Sequence, residues 1–251
     1  MTNKNKDNCT NILIPMAGKG SRFANAGYAF PKPLIEVNGR TMIEVVIENL
    51  KLKTPHKFIF ICQRDHYEKY DLHNILKNAT SNNFDVILIN GITQGAACTA
   101  LLAKKYINNE QELLIANSDQ FIESNINEFI HGARNNNYDG YIMTFESSHP
   151  KWSYVRTVNK KVVEVAEKKV ISRNATVGIY YYKHGSYFVY SAENMIYKNI
   201  RYGNEFYVCP VYNEMILNGK NIGIFEIPRK NMYGLGTPED LHIYLNRHET
   251  T

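Results

Sequence analysis

The sequence carries one tryptophan, four cysteines and no apolar run long enough to cross a bilayer. A spanning helix needs about 20 consecutive apolar residues, and the polar opening from Met1 to Thr10 lacks the apolar centre of a secretory signal. Membrane attachment is therefore not expected. Cys9, Cys62, Cys98 and Cys209 are far apart and form no CxxC pair, which argues against a zinc ribbon or a disulfide scaffold and for reduced thiols in a cytoplasmic protein. Nor is charge of one sign concentrated. The 29 Lys and Arg and 24 Asp and Glu are interspersed along 251 residues, so the surface reads as ordinary and solvated rather than as a nucleic-acid face.

What the chain does have is an apolar opening, Asn11 to Met16, that runs straight into Ala17-Gly-Lys-Gly-Ser-Arg-Phe23 and then Pro31-Lys-Pro-Leu34. A buried strand that ends on glycines and cations is how main-chain amides are brought to a phosphate. Gly18 and Gly20 let the backbone approach an anion, and Lys19 and Arg22 supply charge, with the Arg fork matched to phosphate oxygens. The pattern is neither GxxxxGK[ST] nor GxGxxG, because position 23 is Phe. Prolines on both sides of Lys32 restrict the backbone and hold one ammonium near one place.

Further along, Thr41-Met-Ile-Glu44 has the form of a capping box, with Ile43, Val46, Ile47 and Leu50 at helical spacing behind it. Apolar runs at 57–62, 85–89 and 112–116 read as buried parallel strands, separated by helical stretches at 66–79 and 96–107. This alternation predicts a doubly wound α/β sheet with ligands at the carboxyl ends of its strands, where the opening loop and Asp119 fall. After His131 the strand-like segments 141–145, 155–158, 162–166 and 177–182 crowd together and predict hairpins added to that sheet. Helices at 185–199 and 207–217, a strand at 221–227 and a helix capped by Thr237-Pro238 complete the pattern. With no repeat or linker, one domain over residues 11–248 behind a polar tail of residues 1–10 is expected.

The spacing GxGxRF, eight residues, then KPL, followed by a capped helix, resembles the sugar-phosphate nucleotidyltransferases, also called nucleotide-sugar pyrophosphorylases. The resemblance extends through Gln94-Gly95-Ala96-Ala97, Ser118-Asp119, Glu167-Lys168, Thr176-Val-Gly178 and Gly236-Thr237. It implies a Rossmann-like, GT-A-like sheet, and transfer of a nucleotidyl group from an NTP to a phosphorylated small molecule, usually a sugar 1-phosphate, with release of pyrophosphate. It also implies Mg²⁺, a cytoplasmic setting and a role in surface polysaccharide precursors, and it leaves a homo-oligomer open.

The resemblance assigns Arg22, Lys32 and Asp119 to catalysis, with Asp119 as the metal ligand. Ala17, Gly18, Lys19, Gly20, Ser21, Gln94 and Gly95 would bind the nucleotide. Glu167, Lys168, Thr176, Gly178 and Glu205 would bind the acceptor. Two departures stand out. Relatives carry an Asp shortly before the last Gly-Thr, whereas this chain reads Tyr233-Gly-Leu-Gly-Thr237, so a second metal-binding acid would have to come from elsewhere, such as Glu205 or Glu226. The Pro-Leu-Thr of thymidylyl and uridylyl members is also missing, which leaves cytidylyl and guanylyl transfer open, with cytidylyl transfer to an alcohol or polyol phosphate as an alternative acceptor chemistry. A GT-A glycosyltransferase and a catalytically silent nucleotide-binding subunit are the rivals. The first usually shows Asp-x-Asp where this chain has Asn117-Ser-Asp119; the second would be expected to have lost Arg22, Lys32, Asp119 or Lys168.

Overall fold

The computed structural model describes residues 9–18 and 20–248. The first half alternates strands and helices as the apolar runs predict. β1 (Thr10–Pro15), α1 (Ser21–Asn25), the short hairpin β2 (Glu36–Val37) and β3 (Arg40–Thr41), and α2 (Met42–Leu50) come first. β4 (His56–Gln63), α3 (Arg64–Lys69), α4 (Leu72–Ala79), β5 (Phe84–Ile89), α5 (Ala96–Leu101), α6 (Lys104–Ile107) and β6 (Leu113–Ala116) follow. The second half contains β7 (Gln120–Ile122), α7 (Ile126–Asn135), β8 (Gly140–Glu146), β9 (Tyr154–Val158), β10 (Lys161–Ala166) and β11 (Asn174–Tyr182). It closes with α8 (Gly185–Tyr197), α9 (Val211–Leu217), β12 (Ile222–Ile227), β13 (Met232–Gly234) and α10 (Pro238–Arg247).

β5, β4, β1 and β6 lie side by side and parallel, with Leu13 opposite Ile59 on β4 and Ile115 on β6. β11 joins antiparallel to β6, β8 pairs antiparallel on its other side, and β12 pairs parallel to β8. The sheet is thus mostly parallel, and helices cover both faces. Side chains alternate across a strand: Ile12 and Ile14 pack with Ile43, Val46 and Ile47 of α2 and Phe129 of α7 on one face. Leu13 packs on the other with Ala97 and Ala100 of α5 and Phe188 of α8. A third cluster joins Phe23, Met42, Leu235, Leu241 and Tyr244, and so packs the opening loop against α10. Tyr180, Tyr181 and Tyr182 are buried packing residues, with Tyr182 stacked on Tyr212 at 4.8 Å.

Local signals held where they were strong. Thr41 and Glu44 form the capping box, and Thr237 caps α10 by accepting from the Asp240 N–H at 3.1 Å. The hairpin β9–β10 turns at Asn159-Lys160, both with positive φ (49° and 65°), the backbone of a type I′ turn. All four cysteines are free. Among the described residues, no helix is long and apolar enough to cross a membrane.

Several expectations need correction. The stretch 66–79 is two helices, because the chain enters the left-handed region at Asp71 (φ 51°). The stretch 96–107 also divides, since the N–H groups of Leu102 and Ala103 bond to the carbonyls of Thr99 and Ala100, tightening the turn to i→i−3. α9 begins at Val211 rather than Tyr207: the main chain of Phe206 is already committed to Gln94 and Ala97. β8, β9, β10 and β11 all belong to the one nine-stranded sheet, with the hairpin β9–β10 added at its edge through β11. β1 starts at Thr10. Helices α1 and α7 and the two small sheets, β2–β3 and β7–β13, were not anticipated.

Candidate active site

A cleft of about 570 Å³ opens beyond the carboxyl ends of β1 and β6. Its first wall is the opening loop, contributing Gly18, Gly20, Arg22 and Lys32. Gly20 ends the loop with φ 60°, and a β-carbon there would lie 3.1 Å from the Lys32 β-carbon. The bare glycine therefore lets the Pro31-Lys32-Pro33 segment close onto the loop. Lys32 opens a single 3₁₀ turn, with Leu34 N–H bonded to Pro31 O at 2.8 Å. Its ammonium forms an ion pair and hydrogen bond with Asp119, in a partly buried setting.

Asp119 follows β6 and precedes β7, and β7 pairs with β13, placing Gln120 opposite Gly234. The Leu235 N–H then bonds to the Asp119 carbonyl at 2.7 Å. This ladder lays the 234–237 segment over the Asp119 carboxylate. Asp119 is a hard oxygen donor, and among the described residues no group of three or more His, Cys, Asp or Glu is placed to hold a metal. Such a set does not fit a closed zinc site; it fits Mg²⁺, which takes one or two carboxylates and completes its shell with phosphate oxygens and water.

The facing wall carries the predicted acceptor residues. Glu167 accepts from the Ser153 hydroxyl, and burial lifts its carboxyl above the usual range, opposed by that hydrogen bond and by the Lys168 charge. Lys168 has φ 49°, an uncommon backbone for a lysine. Its ammonium donates to the Tyr207 hydroxyl at 2.8 Å. Burial alone would depress Lys168, but the Tyr207 hydrogen bond and the fields of Tyr207, Glu167 and Glu205 hold it above the ordinary lysine value.

Of the residues singled out from sequence, Gly18, Gly20, Arg22, Lys32, Asp119, Glu167, Lys168, Thr176 and Gly178 line this one cleft. Ala17 is buried, and its carbonyl accepts from Gln63 at 2.6 Å. Ser21 is exposed on α1, and Lys19 lies outside the described residues. Gln94 and Gly95 stand beside the cleft, where Ala96 reaches it. Glu205 is not in the lining; its carboxylate accepts from the Tyr207 hydroxyl. Glu226 is exposed on β12 opposite Thr144 and is absent from the lining.

Sequence reading gave no role to Asp240 or Gln120, while Lys151, Ser153 and Tyr207 fall in segments, 147–155 and 205–207, where the family resemblance implies acceptor contacts. Asp240 lines the cleft with its Oδ2 3.4 Å from where a Gly234 β-carbon would stand. It is an acid in the first turn of α10. Lys151 reaches Asp240 at 3.5 Å and lies over the Trp152 ring, which packs edge-on against Phe145. Trp152 thus both packs the hairpin region and lines the cleft.

A comparison with protein families decides what this cleft belongs to: the Nucleotidyl transferase profile matches residues 12–210. The chain is a member of the nucleotidyl transferase family. The chain is similar over 118 residues, at 27% identity, to the bifunctional protein GlmU of Methanocaldococcus jannaschii, covering 47% of this chain and 27% of that protein. It thus spans about a quarter of that relative's length. Among solved structures, it superposes on a nucleoside-diphosphate-sugar pyrophosphorylase from Vibrio cholerae RC9 with a TM-score of 0.80 and 25% identity, covering 94% of this chain and 99% of that one. The inositol-1-phosphate CTP transferase of T. maritima shares the fold at a TM-score of 0.73 and 13% identity, over 92% and 90% of the two chains.

Proposed function

We propose that the transferase moves a nucleotidyl group from an NTP to the phosphate of a sugar 1-phosphate, giving an NDP-sugar and pyrophosphate, and that the product feeds surface polysaccharide synthesis. The observation that carries this reading is the Lys32–Asp119 pair, set between the glycine loop on one wall and Glu167-Lys168 on the other. One cation and one carboxylate in a cleft that also carries Arg22 and Lys168 suit a reaction that joins two phosphates.

An acceptor phosphate oxygen attacks the α-phosphorus in line, forming one P–O bond as the bond from the α-phosphorus to the α,β-bridging oxygen breaks and that oxygen leaves with pyrophosphate. The nucleophile is already anionic at neutral pH, so the protein's task is positioning and charge neutralisation rather than proton removal. Like charges 4 Å apart repel by about 4 kcal/mol at an effective dielectric near 20, which calls for several cations. Arg22 and the loop amides hold the departing pyrophosphate, Lys32 meets the α-phosphate, and Lys168 meets the acceptor phosphate. Glu167 receives an acceptor hydroxyl. Mg²⁺, held by Asp119 together with phosphate oxygens and water, would add positive charge at the reacting phosphates.

The test supplies each NTP in turn with Mg²⁺ and a panel of sugar 1-phosphates and polyol phosphates, and follows pyrophosphate. Release that depends on a sugar 1-phosphate is the expected result. Release only with polyol phosphates would move the acceptor to that class. NDP release onto a free saccharide would make the chain a glycosyltransferase, and nucleotide binding without turnover would make it a sensor.

A further inference from the structure

The segment from Tyr202 to Tyr207 is tied down from both sides. Tyr202 and Glu205 exchange main-chain hydrogen bonds of 3.1 and 3.2 Å across a tight turn. The Phe206 N–H donates to Gln94 O at 2.7 Å, and its carbonyl accepts from Ala97 at 2.9 Å. A β-carbon on Gly95 would stand 2.5 Å from the Phe206 carbonyl, so the two segments touch backbone to backbone. Along an extended segment side chains alternate. Phe206 turns inward and is buried, with Arg201 stacked 4.5 Å from its ring, while Glu205 and Tyr207 point the other way together.

On that shared side the Tyr207 hydroxyl donates its single proton to Glu205 and accepts from Lys168. A phenol has one proton to give. With that proton committed to the carboxylate, a lone pair is left for the ammonium, and Lys168 keeps two further N–H donors for another partner. The Tyr202 ring centroid stands 5.3 Å from the same ammonium and meets Tyr207 edge-on at 6.4 Å, walling the group on a second side. Lys168 itself holds a left-handed backbone, the strain that persists where surroundings impose it.

We propose that Glu205 and Tyr207 are positioning residues that aim the Lys168 ammonium at the acceptor's phosphate, Glu205 setting that aim through the Tyr207 phenol. This rests on the reading of Lys168 given above. It differs from that reading in removing Glu205 from the acceptor's own ligands. It also gives the base-side turn at Gln94-Gly95 a structural link to the acceptor phosphate through Phe206.

The experiment is a double-mutant cycle with Tyr207→Phe, Glu205→Gln and the two combined, in which acceptor and NTP are each varied with the other saturating. Tyr207→Phe raises the acceptor KM by about ten-fold with kcat and the NTP KM little changed, the loss of one hydrogen bond to a charged group. Glu205→Gln raises it less, and adds nothing in the Tyr207→Phe background. Additive effects of the two substitutions would overturn the relay, because Glu205 would then touch the acceptor itself. A second readout needs no substrate: the NMR titration of Lys168 in ¹³Cε-lysine protein, assigned with Lys168→Arg. Glu205→Gln lowers that titration further when Tyr207 is present than in Tyr207→Phe, where only the through-space field of Glu205 is lost. An equal shift in both backgrounds would refute the relay. If no phosphate acceptor supported turnover, the proposed function would fail while the NMR cycle still decided the relay.

Discussion

Gly236 and Asp119 meet across a missing side chain: a β-carbon on Gly236 would lie 2.7 Å from Asp119 Oδ2 and 4.0 Å from Lys32 Nζ. The Gly-Thr before α10 is therefore a steric requirement of the carboxylate it covers. Gly236→Ala should displace Asp119, and with it Lys32, while leaving the core clusters untouched. Displacement of reacting groups by about 1 Å costs on the order of a hundred-fold in rate. Pyrophosphate release should fall by that order, with the melting temperature moving by only a few degrees. A variant with wild-type turnover would show that the carboxylate's position does not matter.

Arg22 and Lys32 should separate function from stability in different ways. Arg22 is exposed at the cleft, so Arg22→Ala should change unfolding free energy by no more than about 0.5 kcal/mol while abolishing turnover. Lys32→Ala removes the ion-pair partner of a partly buried carboxylate, and should cost both stability and at least about a hundred-fold in rate. Denaturant melts and a pyrophosphate assay on the same preparations distinguish the two.

Glu112, at the start of β6, accepts from Arg134 at 2.6 and 2.8 Å, Thr10 at 2.7 Å and Tyr181 at 2.9 Å. Burial pulls its carboxyl up, but these donors and the Arg134 charge together hold it below the ordinary value of 4.5. A depressed carboxyl stabilises the fold above that ordinary value and loses the contribution as pH falls through the depressed one. Glu112→Gln should therefore cost roughly 2 kcal/mol at neutral pH, discounted because Arg134 is a third exposed. The gap to wild type should narrow in acid melts below about pH 4.

Glu167 has the opposite sign. Its carboxyl is lifted by burial, so the folded state binds the proton more readily and stability declines as pH rises above the ordinary value of 4.5. Glu167→Gln should melt higher than wild type at neutral pH and lose that advantage as the pH is lowered toward 4.5, while the acceptor KM rises. A lower melting temperature at neutral pH would mean that the charge is stabilised in place.

The phosphate loop was legible because it is local: glycines, cations and prolines within 22 residues of one strand need only a turn to meet. The capping box at Thr41-Glu44 and the turn at Asn159-Lys160 were legible for the same reason. Asp240 was not. It caps no cleft until β13 pairs with β7, and those are three-residue strands more than a hundred residues apart that leave no periodic trace. Glu205 was named from sequence as an acceptor residue, but its contact with the Tyr207 hydroxyl was not legible, because it depends on how the two side chains turn in space.

By itself, then, the chain's order of residues determined a doubly wound sheet, a turn of glycines and cations after its first strand, and the family to which that turn belongs, since periodicity and short-range backbone chemistry act within a few residues. Tertiary structure alone decided which charges face one another. Lys32 meets Asp119, Lys168 meets Tyr207, and Asp240 rather than Glu226 enters the cleft, because side-chain electrostatics operate over a few ångströms of space that only packing can close.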